Sequence, residues 1–322
     1  MAGKRKSGAA SRVATLAPPK RRKSGPVAKP SRVSRGPARS AGVDKRSFKL
    51  LALDLDGTLL DHEGAANDAD VAAIRKLHAR GIKVTILTGR LYSGTRESAE
   101  LLGIEGPVGC ADGSHIVNVK NDKTLLHHGI RGSAGERLRT SLEKNDLVAF
   151  LFAEEAIVHD ERGADFLPYV RTWSTDLRYV NRVTEHPVWS SDGGMTAVVA
   201  LGREANVRKT VSDIERDLQE SMQVTMFPFR READYWGMVA RAAGGTKGTA
   251  LEWMSEHYRV PIEETVCVGD WLNDLPMMST AGRSFAMGQA PAEVKAAATD
   301  VLDRSIHGGG AIAEAIERAF GR

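Results

Sequence analysis

The chain is poor in cysteine and has no long apolar run. Cys110 and Cys267 are its two cysteines, each inside a short apolar stretch that reads as a buried strand. Neither a disulfide framework nor a cysteine-rich metal site can be built from them. No uninterrupted apolar segment is long enough to span a bilayer, and the amino terminus lacks the apolar stretch of a secretory signal. The expectation is a reducing, intracellular setting, cytoplasmic unless a targeting segment directs the chain to an organelle or the nucleus. Acids are nearly missing from the first 46 residues, where Asp44 stands alone against 14 Lys or Arg.

Residues 1–46 therefore carry a net charge of +13 and the rest −9, within a total of +4. Rich in Ser, Pro, Gly and Ala and almost free of large apolar groups, this segment cannot bury enough surface to fold alone, and a disordered basic tail is expected. Three roles stay open for it. One is a solvated extension with no partner. Another is electrostatic attachment to nucleic acid or another polyanion, with Pro19-Lys20-Arg21-Arg22-Lys23 as its densest part and a nuclear-targeting patch. The third is an organelle transit peptide, against which the Pro content and weak amphipathicity count.

The remaining residues alternate strand and helix patterns. The apolar run at 48–53 reads as a buried strand ending in Asp54-Leu55-Asp56-Gly57-Thr58. Asn67 and Asp68 look like helix-start residues, followed by Val71, Ile74 and Leu77 at helical spacing and Gly81 as the stop. A β-branched strand at 83–87 ends in Thr88-Gly89-Arg90. A helix over 91–102, an apolar strand at 107–110 and the turn Asp112-Gly113-Ser114 follow. The alternation resumes with a helix over 248–258, a strand at 265–268 ending in Gly269-Asp270, and shorter elements to 320. This is the pattern of a doubly wound parallel sheet. Residues 115–243 differ in texture: a hairpin near Asn121-Asp122, helices near 133–145 and 205–220, and strands at 148–152, 196–201, 223–227 and 235–239. The expected organisation is a tail at 1–46, a Rossmann-like α/β core from 47–114 and 244–322, and an inserted α/β cap at 115–243.

Four segments at strand ends or helix starts carry chemistry: Asp54-x-Asp56-Gly57-Thr58, Thr88-Gly89-Arg90, Thr246-Lys247-Gly248 and Gly269-Asp270-Trp271-Leu272-Asn273-Asp274. In a parallel strand the two aspartates of the first segment share a side, at the sheet edge where α/β folds bind ligands. Taken alone, that segment reads equally well as a strand ending in acidic turn residues. Together the four supply two carboxylate pairs, a hydroxyl and a cation. Asp54 and Asp270 suit a hard divalent cation such as Mg²⁺. Lys247 at a helix start, Thr88 and nearby amides suit a phosphate dianion.

Over about residues 47–322 the chain resembles the haloacid dehalogenase-like phosphatases, and among them the Cof-type group (subfamily IIB) with a large α/β cap between the second and third motifs. The resemblance implies a phosphoric monoester hydrolase using Mg²⁺. Asp54 would be the nucleophile that becomes an aspartyl-phosphate, and Asp56 the general acid and base. The metal would be held by Asp54, Asp56 through its backbone carbonyl, and Asp270, with Asp274 supporting the shell. Thr88, Gly89, Lys247 and Asn273 would bind the transferred phosphoryl group, with Arg90 assisting or bridging to the cap. Asp112-Gly113-Ser114 departs from the Asn-Gly-Ala-like turn common in the group, and Trp271 is large for its loop. It would pack under the cap or narrow the pocket, or simply pack.

The cap would choose the substrate, with Arg171, Arg178, Arg182, His186 and Arg230 as candidates facing a polar or anionic leaving group, although a charged, solvated face accounts for most of them equally well. His115, His127, His128 and His159 show no spacing that demands a metal. The implied substrate is a small phosphorylated metabolite, a sugar phosphate or similar phosphomonoester. The alternatives are a dedicated sugar-phosphate phosphatase of the sucrose-, trehalose- or mannosylglycerate-phosphate type, or a polyanion-binding protein acting mainly through its tail. Deleting residues 1–46 should leave turnover of small substrates nearly unchanged and remove any salt-sensitive binding to DNA or RNA, read by titrating both forms against nucleic acid at rising salt. Nucleic-acid binding that survives the deletion would refute the electrostatic tail.

Overall fold

Four consecutive apolar residues, Leu50, Leu51, Ala52 and Leu53, are fully buried at the centre of the molecule, as a strand covered on both faces requires. The computed structural model describes residues 47–153, 155–229 and 234–321, so the basic tail lies outside the described residues. The first elements are β1 (Leu50–Leu53), α1 (Asp68–Ala79), β2 (Lys83–Ile86), α2 (Arg96–Leu102), β3 (Pro107–Cys110), β4 (His115–Asn118) and β5 (Lys123–His127). Next come α3 (Gly132–Lys144), β6 (Val148–Ala153), β7 (Ala156–His159), α4 (Leu167–Val170), β8 (Leu177–Tyr179), β9 (Ala197–Arg203), α5 (Glu204–Asp217), β10 (Met222–Pro228) and β11 (Tyr235–Ala242). The chain closes with α6 (Lys247–Tyr258), β12 (Thr265–Gly269), α7 (Leu275–Thr280), β13 (Arg283–Ala286), α8 (Ala292–Ala297), β14 (Asp300–Val301) and α9 (Ala311–Phe320).

β1 lies between β12 and β2 in a five-stranded sheet ordered β14-β13-β12-β1-β2, every pairing parallel. Elements from both ends of the chain thus meet in one sheet. Helix α1 starts where the Asn67 side chain accepts from Ala69 N, and it turns Val71, Ile74 and Leu77 inward. Its buried Asp70 accepts from Gly310 N at 3.0 Å and Ala313 N at 2.8 Å, satisfying the free amides at the start of α9.

β3 joins this body through a parallel bridge between Leu87 and Gly109 and pairs antiparallel with β4, which pairs with β5. Ile116, Val117 and Val119 are buried in the same apolar cluster as Leu53. The first core therefore runs past the expected boundary at 114/115. The hairpin between β4 and β5 turns at Asn121-Asp122, where Asp122 has φ 54°.

The second sheet is ordered β10-β11-β9-β6-β7-β8 and is antiparallel except between β7 and β8. Its strands alternate with period two. Leu151, Val198 and Ala200 face α3 and α5, whose Leu138, Leu142, Val207, Val211 and Ile214 are buried there. Phe150, Phe152, Val199 and Leu201 face the other way, into a cluster with Phe166, Tyr169, Trp173 and Leu91. Leu91 belongs by sequence to the first unit, and its burial here ties the two together. That explains a departure from the expected helix over 91–102: Leu91 N donates to Trp173 O at 2.9 Å, and a single 3₁₀ turn at Tyr92–Gly94 precedes α2. β7 and β8 have three or four residues each and carry too short a pattern to be read from sequence. Among the described residues no helix is long and apolar enough to cross a membrane.

Leu51→Ala removes a fully buried side chain from β1 and should cost about 2–5 kcal/mol in chemical denaturation, with an unchanged denaturant slope. A loss well under 1 kcal/mol would contradict the central position given to β1.

Candidate active site

The carboxyl ends of β1 and β12 and the amino end of α6 converge. Asp54 follows β1 directly, with its amide donating to Val268 O at 3.1 Å between the two strands. Thr246 caps α6 by accepting from Thr249 N, while Thr249 returns a bond to Thr246 N. This box sets Lys247 as the first helical residue, its side chain at 0% exposure. Lys247 Nζ sits 2.5 Å from Asp54 Oδ1 and 2.6 Å from Asp274 Oδ1. Asp274 uses its other oxygen to accept from the amides of Asp270 (2.8 Å) and Trp271 (3.0 Å), which folds the loop after β12 around it. Both Asp274 oxygens are thus engaged within the protein.

Asp270 completes the cluster. One ligand atom from each of Asp54, Asp270 and Asp274 lies within 4.8 Å of the others, and this is the one such acidic or metal-ligating group among the described residues. Asp270 Oδ1 is buried with no hydrogen-bond partner. Gly57 has φ 83°, and a Cβ there would collide with the Asp270 carboxylate, so glycine both makes the turn and admits the acid. Burial, reinforced by Asp274, pushes the Asp270 carboxyl up to about 7. Burial also raises Asp54 in spite of Lys247. For Lys247 burial alone would lower the value, but Asp274 and then Asp54 outweigh it and the ammonium stays charged. Three carboxylates around one ammonium leave an excess of negative charge out of water. With a lone buried oxygen on Asp270, the cluster fits a hard divalent cation.

The other expected residues fall nearby in different states. The Asp56 side chain is half exposed, and Arg90 grips both of its oxygens, Nη2 to Oδ1 at 2.5 Å and Nε to Oδ2 at 2.8 Å. Thr88 is buried and its Oγ1 accepts from Arg90 N at 3.2 Å. Gly89 abuts Asp112, whose Oδ1 lies 3.4 Å from the position of a Cβ on that glycine. Asn273 Nδ2 donates to Asp112 Oδ1 at 2.8 Å. Trp271 is 48% exposed and does not line the cleft that opens at Asp56 and Asp270.

A cleft of about 980 Å³ runs from Asp56, Arg90 and Asp270 out between the loop at 60–64 and the segment at 169–175, where Tyr169, Arg171 and Trp173 line it. Of the arginines expected to face a substrate, Arg171 reaches this cleft. Arg178 pairs with Asp176 at 3.0 Å and Arg182 with Glu185 at 2.8 Å, and His186 accepts from Val188 N, so none of these three lines it. Arg230 lies outside the described residues. His115 and His127 sit edge to face, 5.3 Å apart, at the junction of the two units, and burial pulls His127 down to about 4. His159 packs edge to face on Tyr179.

Two participants carried no sequence signal. Arg241, on β11, pairs with Asp112 at 2.6 Å. Gln289 donates to Gly57 O at 2.6 Å, accepts from Ile306 N, and lines the cleft together with Asp270. Each reaches the site from an element far away in sequence, and no local pattern singles it out.

The parallel sheet gathers carboxylates and a buried lysine at its carboxyl edge, where open α/β folds bind ligands. The chain belongs to the haloacid dehalogenase-like hydrolases, whose family model matches residues 51–316. It is 26% identical over 285 residues to the phosphatase YwpJ of Bacillus subtilis, covering 81% of this chain and 97% of that protein. It is 27% identical over 278 residues to the 5-amino-6-(5-phospho-D-ribitylamino)uracil phosphatase YcsE of the same organism, covering 84% and 94%. A crystal structure of a haloacid dehalogenase-like hydrolase from Bacteroides thetaiotaomicron superposes with a TM-score of 0.71 at 23% identity, covering 85% of this chain and all of that one.

In chelator, Asp270 should make the protein less stable as pH rises. Its folded value of about 7 lies above the ordinary carboxylate value of about 3.9, so the folded state holds the extra proton between them and the contribution is lost as pH climbs toward 7. Thermal melts from pH 5 to pH 8 should show a decline that Asp270→Asn makes shallower; equal slopes would contradict it.

Proposed function

We propose that the protein is a Mg²⁺-dependent phosphatase that hydrolyses phosphomonoesters of small metabolites through an aspartyl-phosphate on Asp54. The observation that carries this reading is the convergence of Asp54, Lys247, Asp270 and Asp274 from three segments on one buried point at the edge of the parallel sheet. A carboxylate cannot approach a phosphate dianion unless their repulsion is offset, and Lys247 supplies fixed positive charge beside Asp54.

In the proposed reaction an Asp54 oxygen attacks phosphorus, the bond to the leaving oxygen breaks, and Asp56 delivers a proton to that oxygen. Asp56 then takes a proton from water, the resulting hydroxide attacks phosphorus, and the bond to Asp54 breaks to release phosphate. Because Arg90 engages both Asp56 oxygens, this work requires Arg90 to give up at least one of its two bonds. Thr88, Gly89, Lys247 and Asn273 hold the phosphoryl oxygens. Asp54, Asp270 and the Asp56 carbonyl would hold Mg²⁺, with Asp274 fixing the loop behind them. The bound ion supplies charge neutralisation at the phosphoryl group.

The cleft volume and its mixed wall of Tyr169, Trp173 and Arg171 suit a small polar leaving group with some flat or apolar surface. The relative that acts on a phosphoribityl-aminouracil supports a substrate of metabolite size. Purified protein with Mg²⁺ should hydrolyse a generic aryl phosphate and lose the activity in chelator. Asp54→Asn should abolish turnover, and Asp56→Asn should slow it by about 10²–10⁴-fold. Full activity in Asp54→Asn would refute the nucleophile. A panel of phosphorylated metabolites then identifies the substrate.

A further inference from the structure

The turn after β3 touches three of the four segments that carry chemistry, those holding Thr88, Lys247 and Asn273. Ala111 N donates to Arg90 O and Asp112 N to Thr88 O, each at 2.8 Å. Ala111 and Asp112 hold φ of 47° and 53°, two consecutive left-handed residues that are not glycine, followed by Gly113 at 94°. Such backbone persists only where its surroundings over-determine it. Here they do. A Cβ on Gly113 would strike the Thr246 carbonyl, and one on Gly245 would strike Ser114, so the turn is pressed against the residues that start α6 and present Lys247.

The Asp112 carboxylate is buried and has two partners, Asn273 Nδ2 at 2.8 Å on Oδ1 and Arg241 Nη2 at 2.6 Å on Oδ2. Burial by itself would raise this carboxyl, but Arg241, then Lys247 and the bond from Asn273, hold it below the usual range. Arg241 comes from β11 of the second sheet, and its side chain is 12% exposed.

We propose that Asp112 and Arg241 are a positioning pair for phosphoryl transfer, holding the Asn273 amide and the Thr88–Gly89 loop in register with the second sheet. This rests on the reading of Asn273 as a phosphoryl ligand. An ionised Asp112 accepts only, so Asn273 must turn its nitrogen toward it; the flipped amide would set its carbonyl against a carboxylate. One Nδ2 hydrogen is spent on Asp112 and the other is left in a defined direction. Arg241 has a separate effect. It neutralises Asp112, so that Lys247 remains committed to Asp54 and Asp274 instead of being shared with a fourth buried carboxylate.

The test uses full-length protein with Mg²⁺ and an aryl phosphate, with kcat, KM and melting temperature measured for Asp112→Asn, Arg241→Met, Asn273→Ala, and the doubles D112N/R241M and D112N/N273A. Asn is chosen at 112 because it tolerates positive φ. Asp112→Asn should lower kcat/KM by about 10–100-fold, the range for a residue that orients a ligand-binding group. D112N/N273A should fall no more than about threefold below Asn273→Ala alone, since both act through one amide. Arg241→Met should be worse than D112N/R241M, because the single change leaves a buried carboxylate unbalanced.

Activity within twofold of wild type in Asp112→Asn, or multiplicative losses in D112N/N273A, would overturn the proposal, as would a lower melting temperature with unchanged kcat/KM. If Arg241→Met does not fold, D112N/N273A still decides. A wild-type protein inactive on aryl phosphate would instead sink the phosphatase reading, and with it the pair's role.

Discussion

Lys247 is the interaction on which the site depends. Its ammonium has no access to water and is shared between Asp54 and Asp274. Removing a lysine from water costs several kcal/mol, offset only where geometry and partners are close to ideal. That requirement ties three segments together. The Thr246–Thr249 box must start α6 at one residue, β1 must deliver Asp54 at its end, and the loop after β12 must fold around Asp274. One cation is nonetheless too few for the carboxylates present. The same arrangement that holds the loops leaves Asp270 with a buried, unpartnered oxygen and raised affinity for a proton, features that suit a divalent cation.

The second constraint is how the two sheets meet beside that cluster. Leu91, one residue past Arg90, is buried among aromatic residues of the second sheet. Ser93 Oγ lies 2.8 Å from Ser174 Oγ and donates to Glu155 O at 2.7 Å. Arg241 reaches back from β11 to Asp112. The segment carrying Thr88, Gly89 and Arg90 is therefore braced from the first sheet behind and the second sheet in front. The cleft lies between them, so residues of both line it.

Much of this was legible in the residues, for stated reasons. β1 and β12 read as strands because continuous apolar runs flanked by Gly and Asp suit a sheet covered on both faces. α1 was visible from Val71, Ile74 and Leu77 and the Asn67 cap. Asp54, Lys247, Asp270 and Asp274 were recognisable because strand ends and helix starts bring short motifs to one edge, whatever lies between them in sequence. β7 and β8 were too short to show a period. The 3₁₀ turn at Tyr92–Gly94 replaced helix because a backbone bond to Trp173, a long-range partner, captured Leu91 N. Arg178 and Arg182 looked like substrate residues until their own neighbours, Asp176 and Glu185, proved to be their partners.

The sequence by itself determined the parallel α/β core, the four chemical segments and the charge asymmetry between tail and body, because each is written in local pattern or composition. Tertiary structure alone decided that Lys247 bridges Asp54 and Asp274, that Arg90 takes both oxygens of Asp56, and that Arg241 and Gln289 belong to the site. Those are contacts between residues as many as 232 positions apart. Which partner a buried charge finds depends on what else is excluded from water around it, and that is set only when the chain closes.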